Sequence, residues 1–236
     1  MTDASLPLSE RIALVVGASR GIGRESALAL ARAGAHVVAV ARTQGALEEL
    51  DDEIFAATGK HATLIPFDLV DGGGIGRLDI WVQAAATMGA EGLTPVSHAD
   101  PRGFAKIEKI NLTSVYRLIR SLEPLLKASQ AARVIHLTAS LTSIPRAFWG
   151  PYAATKAGAE TLMKCWADET ESMPIRVSIV DPGRMRTQLR AQAYPGEDPE
   201  TLPHPSEIGP LIVDLARGDQ EPPLNVSFRS WRDGTN

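Results

Sequence analysis

The seven residues Gly17-Ala18-Ser19-Arg20-Gly21-Ile22-Gly23 stand directly between a short apolar run, Ile12 to Val16, and a helix-like stretch from Arg24 to Ala33 that closes at Gly34. An apolar run of this length reads as a buried strand. Strand, glycine-rich turn and helix in immediate succession form the context of a dinucleotide site. The glycines let the backbone approach a pyrophosphate, and the helix N-terminus favours its charge. The spacing is GxxxGxG rather than GxGxxG. An ordinary strand-to-helix turn is the alternative; the flanking elements favour nucleotide binding.

The pattern repeats down the chain. His36 to Val40, Thr63 to Phe67, Asp79 to Val82, Arg133 to Thr138, Ile175 to Val180 and Asn225 to Phe228 read as further strands. Gln44 to Thr58, Pro101 to Lys127, Pro151 to about Ser172 and Glu207 to Arg217 read as helices. Alternating strands and helices imply an α/β, doubly wound Rossmann fold: a parallel sheet with helices on both faces, in a single domain over 1–236. Two connections are unusual. Only eleven residues, Asp68 to Leu78, join the third and fourth strands, and Gly72, Gly73, Gly74 and Gly76 disfavour a helix there. As helix they would cover about 16 Å, but extended they would reach about 36 Å. An extended crossover without a helix is one reading; residues absent from the chain is the other. The Pro-rich, acidic stretch from Gln188 to Ser206 is long for a connection and reads as a substrate-binding loop.

The end of the second strand bears on which dinucleotide would bind. A ribose-binding Asp or Glu is expected there for NAD, but Ala41 and Arg42 follow Val40. Arg42, with Arg20 from the glycine turn, suits a 2′-phosphate through bidentate guanidinium pairing. NADP(H) is expected over NAD(H), with NAD(H) the second choice. Asp68 and Leu69 fall where an adenine would be contacted.

Composition narrows the classes. The net charge of −4 gives no argument for nucleic acid or an anionic membrane surface. Cys165 is the sole cysteine, so neither an internal disulfide nor a cysteine-based metal site is expected, and the five histidines lack ligand spacing. No apolar run approaches the roughly 20 residues that span a bilayer, and the N-terminus lacks a signal pattern. A cytoplasmic protein is expected.

Tyr152 and Lys156 are four residues apart on a stretch that reads as helix, with Pro151 suited to its first turn. A nearby ammonium favours tyrosinate, and a phenol so tuned can exchange a proton with a reacting oxygen. The pair alone is weak, because Tyr and Lys at this spacing are usually surface residues.

Taken together, GASRGIG after the first strand, Asn111 in a helix, a serine after the fifth strand, Tyr152-x-x-x-Lys156, and Pro182-Gly183-Arg184-Met185-Arg186-Thr187 after the sixth resemble the short-chain dehydrogenase/reductase family over nearly the whole chain. WGPYAATKAG and the acidic loop are similar to a poorly characterised oxidoreductase branch of it. The resemblance implies Tyr152 as general acid/base, Lys156 as the group that lowers its pKa and holds the nicotinamide ribose, and Asn111 as the anchor of a relay water. It further implies Gly17, Ser19, Arg20, Gly21, Ile22 and Gly23 around the cofactor phosphates and ribose, and Pro182, Gly183 and Thr187 near the nicotinamide. Homodimers or homotetramers through the helices carrying Asn111 and Tyr152 also follow from it.

Three positions depart from the family pattern. The serine thirteen residues before the tyrosine is Ala139; Ser140 is expected to fill the role, with Thr138 the alternative. Asn-Asn-Ala-Gly after the fourth strand is Gln83-Ala84-Ala85-Ala86, and the helix between strands three and four is missing. The implied activity is NADP(H)-dependent interconversion of a carbonyl and an alcohol on a small, partly apolar substrate, with Ile144 to Trp149 forming one wall. A non-catalytic dinucleotide-binding sensor or scaffold is the rival reading. A sugar-nucleotide epimerase, which shares Tyr-x-x-x-Lys, is a distant third.

Overall fold

The computed structural model describes residues 6–66 and 76–235. Strands β1 (Ile12–Val16), β2 (His36–Val40), β3 (Thr63–Ile65), β4 (Ile80–Gln83), β5 (Ala132–Leu137), β6 (Ile175–Asp181) and β7 (Asn225–Ser227) form one sheet. Its order is β3-β2-β1-β4-β5-β6-β7, and every pair is parallel. The order reverses between β1 and β4, so a crevice opens beyond their C-terminal ends, where ligands of such sheets bind.

Side chains alternate across the strands, as the period of two requires. Ala13, Val15, Ile80, Val82, Ile135 and Val180 face one side, with residues of helices α1 (Gly21–Arg32), α2 (Gln44–Thr58) and, further along, the short helix Gly209–Ala216. Leu14, Trp81, Val134 and Ile179 face the other, with residues of two long helical stretches. Both faces are covered, which is why the strands read as continuous apolar runs rather than alternating ones.

The first of those stretches departs from the expected single helix over 101–127. It is α3 (Pro101–Glu108), one π turn (Lys109–Thr113) and α4 (Ser114–Lys127), with Pro124 accommodated inside α4. Asp100 caps α3 by accepting from Gly103 N. Asn111 lies in the π turn. The second stretch is α5 (Gly150–Glu169), slightly shorter than expected. Trp166 on α5 donates its indole N–H to Glu123 on α4 at 2.8 Å and meets Trp81 of the sheet edge-on.

The expected irregular loop over 188–206 is also corrected. It holds helix α6 (Gln188–Ala193) and turns of 3-10 helix at Pro199–Thr201 and Pro205–Ile208. Pro199 and Pro205 open those short turns, where a missing N–H costs nothing. Helix α7 (Gly209–Ala216) follows, and α8 (Phe228–Arg232), which sequence patterning does not suggest, is the last element described. The expected third strand is shorter at its end, and Phe67 and most of the short crossover lie outside the described residues.

A polar clasp ties the strand starts together. Buried Asp79 accepts from Ile12 N at 3.0 Å, Ser129 Oγ at 2.6 Å and Arg77 Nε at 3.1 Å. Arg133 on β5 donates to the carbonyls of Arg217, Gly218 and Gln220, fixing the connection that leads into β7. Removing one member of such a buried set leaves its partners unpaired. Asp79→Ala is therefore expected to cost about 2–4 kcal/mol of stability, read as a lower denaturant midpoint at unchanged slope. A loss below about 0.5 kcal/mol, the range of ordinary surface changes, would show the clasp to be dispensable.

Candidate active site

The glycine turn is fixed by packing as well as by its own conformation. Gly17 has φ +91, and a β-carbon on it would lie 2.6 Å from Ala85 N, so the turn touches the residues that follow β4. A β-carbon on Gly23 would collide with the Gly17 carbonyl. Gly17 N and Ala18 N both donate to Val40 O, which holds the turn against the end of β2. Helix α1 then starts with no side-chain cap. Its first N–H groups carry the positive end of the helix dipole toward the crevice.

Around this turn the expected cofactor residues divide. Ser19, Gly21 and Ile22 are half-buried, whereas Arg20 is exposed. Arg20 donates to Gln188 Oε1 at 2.5 Å. Arg42 follows β2, is exposed, and makes no ion pair among the described residues. Gly183 has φ +68 and donates its N–H to Asp181 Oδ1, while Pro182 is buried. Thr187 caps α6 by accepting from Arg190 N, and its methyl would stand 3.5 Å from a β-carbon on Gly21. The glycine turn and the 187–188 stretch thus face each other closely. Asp68 and Leu69 lie outside the described residues.

On the other side of the crevice, Tyr152 and Lys156 are buried on one face of α5. Tyr152 meets Trp149 edge-on at 5.5 Å and packs with Met88, Ala153 and Ala193. Burial, and to a lesser degree the charge of Asp181, push its phenol up to about 12. The expectation of a depressed Tyr152 is thereby corrected for this state. The apolar surroundings penalise tyrosinate, and the Lys156 ammonium is engaged elsewhere, donating to Leu137 O. Burial lowers Lys156 itself to about 8, with the Glu160 carboxylate opposing the drop.

Asn111 is buried, and its carboxamide is consumed by protein groups. Its Oδ1 accepts from Thr87 N at 2.8 Å, and its Nδ2 donates to Thr87 O at 2.8 Å and Thr155 Oγ1 at 3.1 Å. It thereby pins the chain after β4 to α5. Thr138 and Ser140 separate clearly. Thr138 is buried and donates to Glu160 Oε2 at 2.6 Å. Ser140 is exposed and opens a 3-10 turn, with no side-chain hydrogen bond among the described residues.

The aromatic wall is only partly as expected. Trp149 is buried between Tyr152 and Tyr194, but Ile144 and Phe148 are exposed, and Phe148 takes a left-handed φ of +72. Tyr194 is a residue that motif reading misses. Arg190 lies over its ring at 3.9 Å and pairs with Glu197 through two hydrogen bonds. Gln192 Nε2 donates to Gly89 O at 2.7 Å. Thr155 and Glu160 are missed likewise; their spacing from Tyr152 along α5 was the available signal. Among the described residues no group of three potential metal ligands gathers, and no helix is long and apolar enough to cross a membrane.

Comparison with known proteins agrees with this architecture. The sequence model for short chain dehydrogenases matches residues 11–198. The uncharacterised oxidoreductase YciK of Escherichia coli K12 is 33% identical over 234 residues, spanning 94% of this chain and 92% of that protein. A short chain dehydrogenase of Shigella flexneri solved in complex with NADP is 32% identical with a TM-score of 0.87, covering 93% of this chain and 97% of that one. A similar protein of E. coli CFT073, solved with NADPH, is 33% identical with a TM-score of 0.87, covering 94% and 96%. With a family match over most of its length and an intact Rossmann sheet, this chain belongs to the short-chain dehydrogenase/reductase family of oxidoreductases.

Proposed function

We propose that the protein is an NADP(H)-dependent oxidoreductase that interconverts a carbonyl and an alcohol, with Tyr152 as general acid/base, built as one domain whose 188–206 segment borders the substrate. The observation that carries this reading is the buried Tyr152–Lys156 pair on one face of α5. It sits across the switch-point crevice from a glycine turn whose helix has no side-chain cap. The donor set suits NADP(H). An uncapped helix N-terminus favours a pyrophosphate. Arg42 follows β2 in place of an acidic residue and suits a 2′-phosphate, with Arg20 on the glycine turn, now donating to Gln188, as the second donor. The relatives solved with NADP and NADPH support the same choice. The Gly17 to Gly23 backbone and Ser19 would hold the phosphates. Pro182, Gly183 and Thr187 would border the nicotinamide, and Lys156 its ribose.

When bound, the cofactor supplies or accepts the hydride. The chain's own work is the proton. In carbonyl reduction the substrate oxygen gains negative charge, and Tyr152 Oη gives it a proton while the free Ser140 hydroxyl donates a hydrogen bond. A phenol held near 12 is fully protonated at neutral pH, so the site starts in its acid form. The Lys156 ammonium then stabilises the tyrosinate left behind. Because the Asn111 carboxamide is already paired, a relay water would be held by the backbone of the π turn, where the helical ladder is out of step. Thr138, already donating to Glu160, is the poorer candidate for the substrate hydroxyl. The buried cluster of Met88, Trp149 and Ala193 beside Tyr152 suits a partly apolar substrate. A second copy packed along α4 and α5 remains the assembly that the family resemblance implies.

Tyr152→Phe is expected to lower kcat by roughly 10²–10⁴-fold, the usual worth of a positioned acid, while leaving NADPH affinity within twofold. Full activity in that variant would contradict the mechanism, and NADPH binding by the wild type without any carbonyl turnover would favour a non-catalytic sensor. Arg42→Ala should weaken NADPH more than NADH in equilibrium binding; equal losses would remove the 2′-phosphate assignment. Carbonyl reduction should hold steady through neutral pH and fall as pH rises through about 8, because Lys156 keeps its charge below that point and loses it above. A rate profile that is flat to pH 10 would separate Lys156 from proton delivery.

A further inference from the structure

The strand-end substitution Gln83 has a partner that the mechanism above leaves unused. Gln83 at the end of β4 is in register with His136 on β5. Both alternate onto the sheet face that α4 and α5 cover, as does Trp81 two residues before Gln83. The three are almost wholly buried, with relative exposures of 0, 1 and 0% for Trp81, Gln83 and His136. Yet Trp81 Nε1, Gln83 Oε1 and Nε2, and His136 Nδ1 and Nε2 have no hydrogen-bond partner among the described residues. Five orphaned polar atoms in one patch are a heavy cost for a marginally stable fold, and buried polar groups in native proteins are rarely left so.

Hydrogen-bonding capacity identifies what satisfies them. Trp81 is a donor only, Gln83 brings two donors and a carbonyl acceptor, and a neutral His136 brings one donor and one acceptor. A direct Gln83–His136 bond would pair one atom of each and leave three of the five unmet. Water both donates and accepts, and internal waters typically join two to four such groups.

We propose that Trp81, Gln83 and His136 line an internal water site beneath α5, and that this site lies behind Lys156 and sustains its charge. The location follows from the strand. His136 directly precedes Leu137, whose carbonyl takes the Lys156 ammonium, and the Lys156 charge is felt at His136. His136 is held neutral by burial and, secondarily, by that charge, so the two side chains carry one positive charge between them. The other groups facing the pair are accounted for. Glu160 is engaged by Thr138 and Lys164, Glu123 on α4 by Lys127 and Trp166, and Asp181 on β6 acts on Tyr152. Polar lining on the sheet side therefore falls to Gln83, His136 and the waters they hold. His136 is a positioning residue that acts through Lys156.

The functional part rests on the oxidoreductase reading, so the test has two arms. In a high-resolution crystal structure of the wild type, ordered water within hydrogen-bond distance of at least two of the three side chains is expected. A dry Gln83–His136 contact would overturn the water site. In the second arm, His136→Leu should move the alkaline limb of carbonyl reduction down by about one pH unit, a roughly tenfold loss at a fixed pH on that limb. His136→Gln should restore it, and Trp81→Phe, which keeps the ring packing, should move it in the same direction by less. If His136→Leu does not fold, Gln83→Leu and Trp81→Phe carry the comparison. A wild-type limb that none of these variants moves would overturn the link to Lys156. Absence of wild-type turnover would overturn the oxidoreductase reading and the proton role together, with the crystal structure still deciding the water site.

Discussion

A single buried ammonium sets the terms for everything near it. Lys156 reaches back from α5 to the carbonyl of Leu137, the last residue of β5. An ion this deeply buried is expensive unless polar groups surround it. Helix α5 places Glu160 one turn further on, where its carboxylate resists the loss of the Lys156 proton, and β5 places neutral His136 next to the accepting carbonyl. Tyr152, one turn earlier, pays the opposite penalty. Its phenol lies among Trp149, Met88 and Ala193, so burial keeps it protonated. Burial thus holds the proton on Tyr152 but loosens it on Lys156, which at about 8 still keeps its charge at neutral pH with the help of Glu160.

The sheet supplies the geometry for this chemistry. Reversal of strand order between β1 and β4 leaves a crevice, and the glycine turn reaches it only because Gly17 has no side chain to strike the residues after β4. Those same residues are pinned to the opposite wall by Asn111, whose amide spans Thr87 and Thr155. With Gln83-Ala84-Ala85-Ala86 in the positions of Asn-Asn-Ala-Gly the wall stays in place, and Gln83 puts a polar side chain on the buried sheet face beneath α5.

Much of this was legible in the sequence because it depends on local periodicity. Ile12 to Val16 and His36 to Val40 match their strands to the residue, and Gln44 to Thr58 closes at Gly59 in the left-handed conformation its position required. What was not legible depends on distant packing. The π turn at Lys109–Thr113 interrupts an otherwise continuous helical pattern, and no residue type marks it. The 188–206 stretch reads as loop because its prolines suggest breaks, whereas Pro199 and Pro205 start short helical turns. The lowered pKa expected for Tyr152 came from its spacing to Lys156 alone. The burial that reverses its direction comes from Trp149 and α6, elements that spacing does not bring together.

The most direct test of this account is tyrosine-ring NMR of the free protein, titrated from pH 6 to pH 11, with Tyr152→Phe identifying the resonance. The account predicts that the Tyr152 signal stays at its phenol position through pH 10. A midpoint near pH 7 would contradict it, because tyrosinate would then already be formed before any cofactor or substrate arrives.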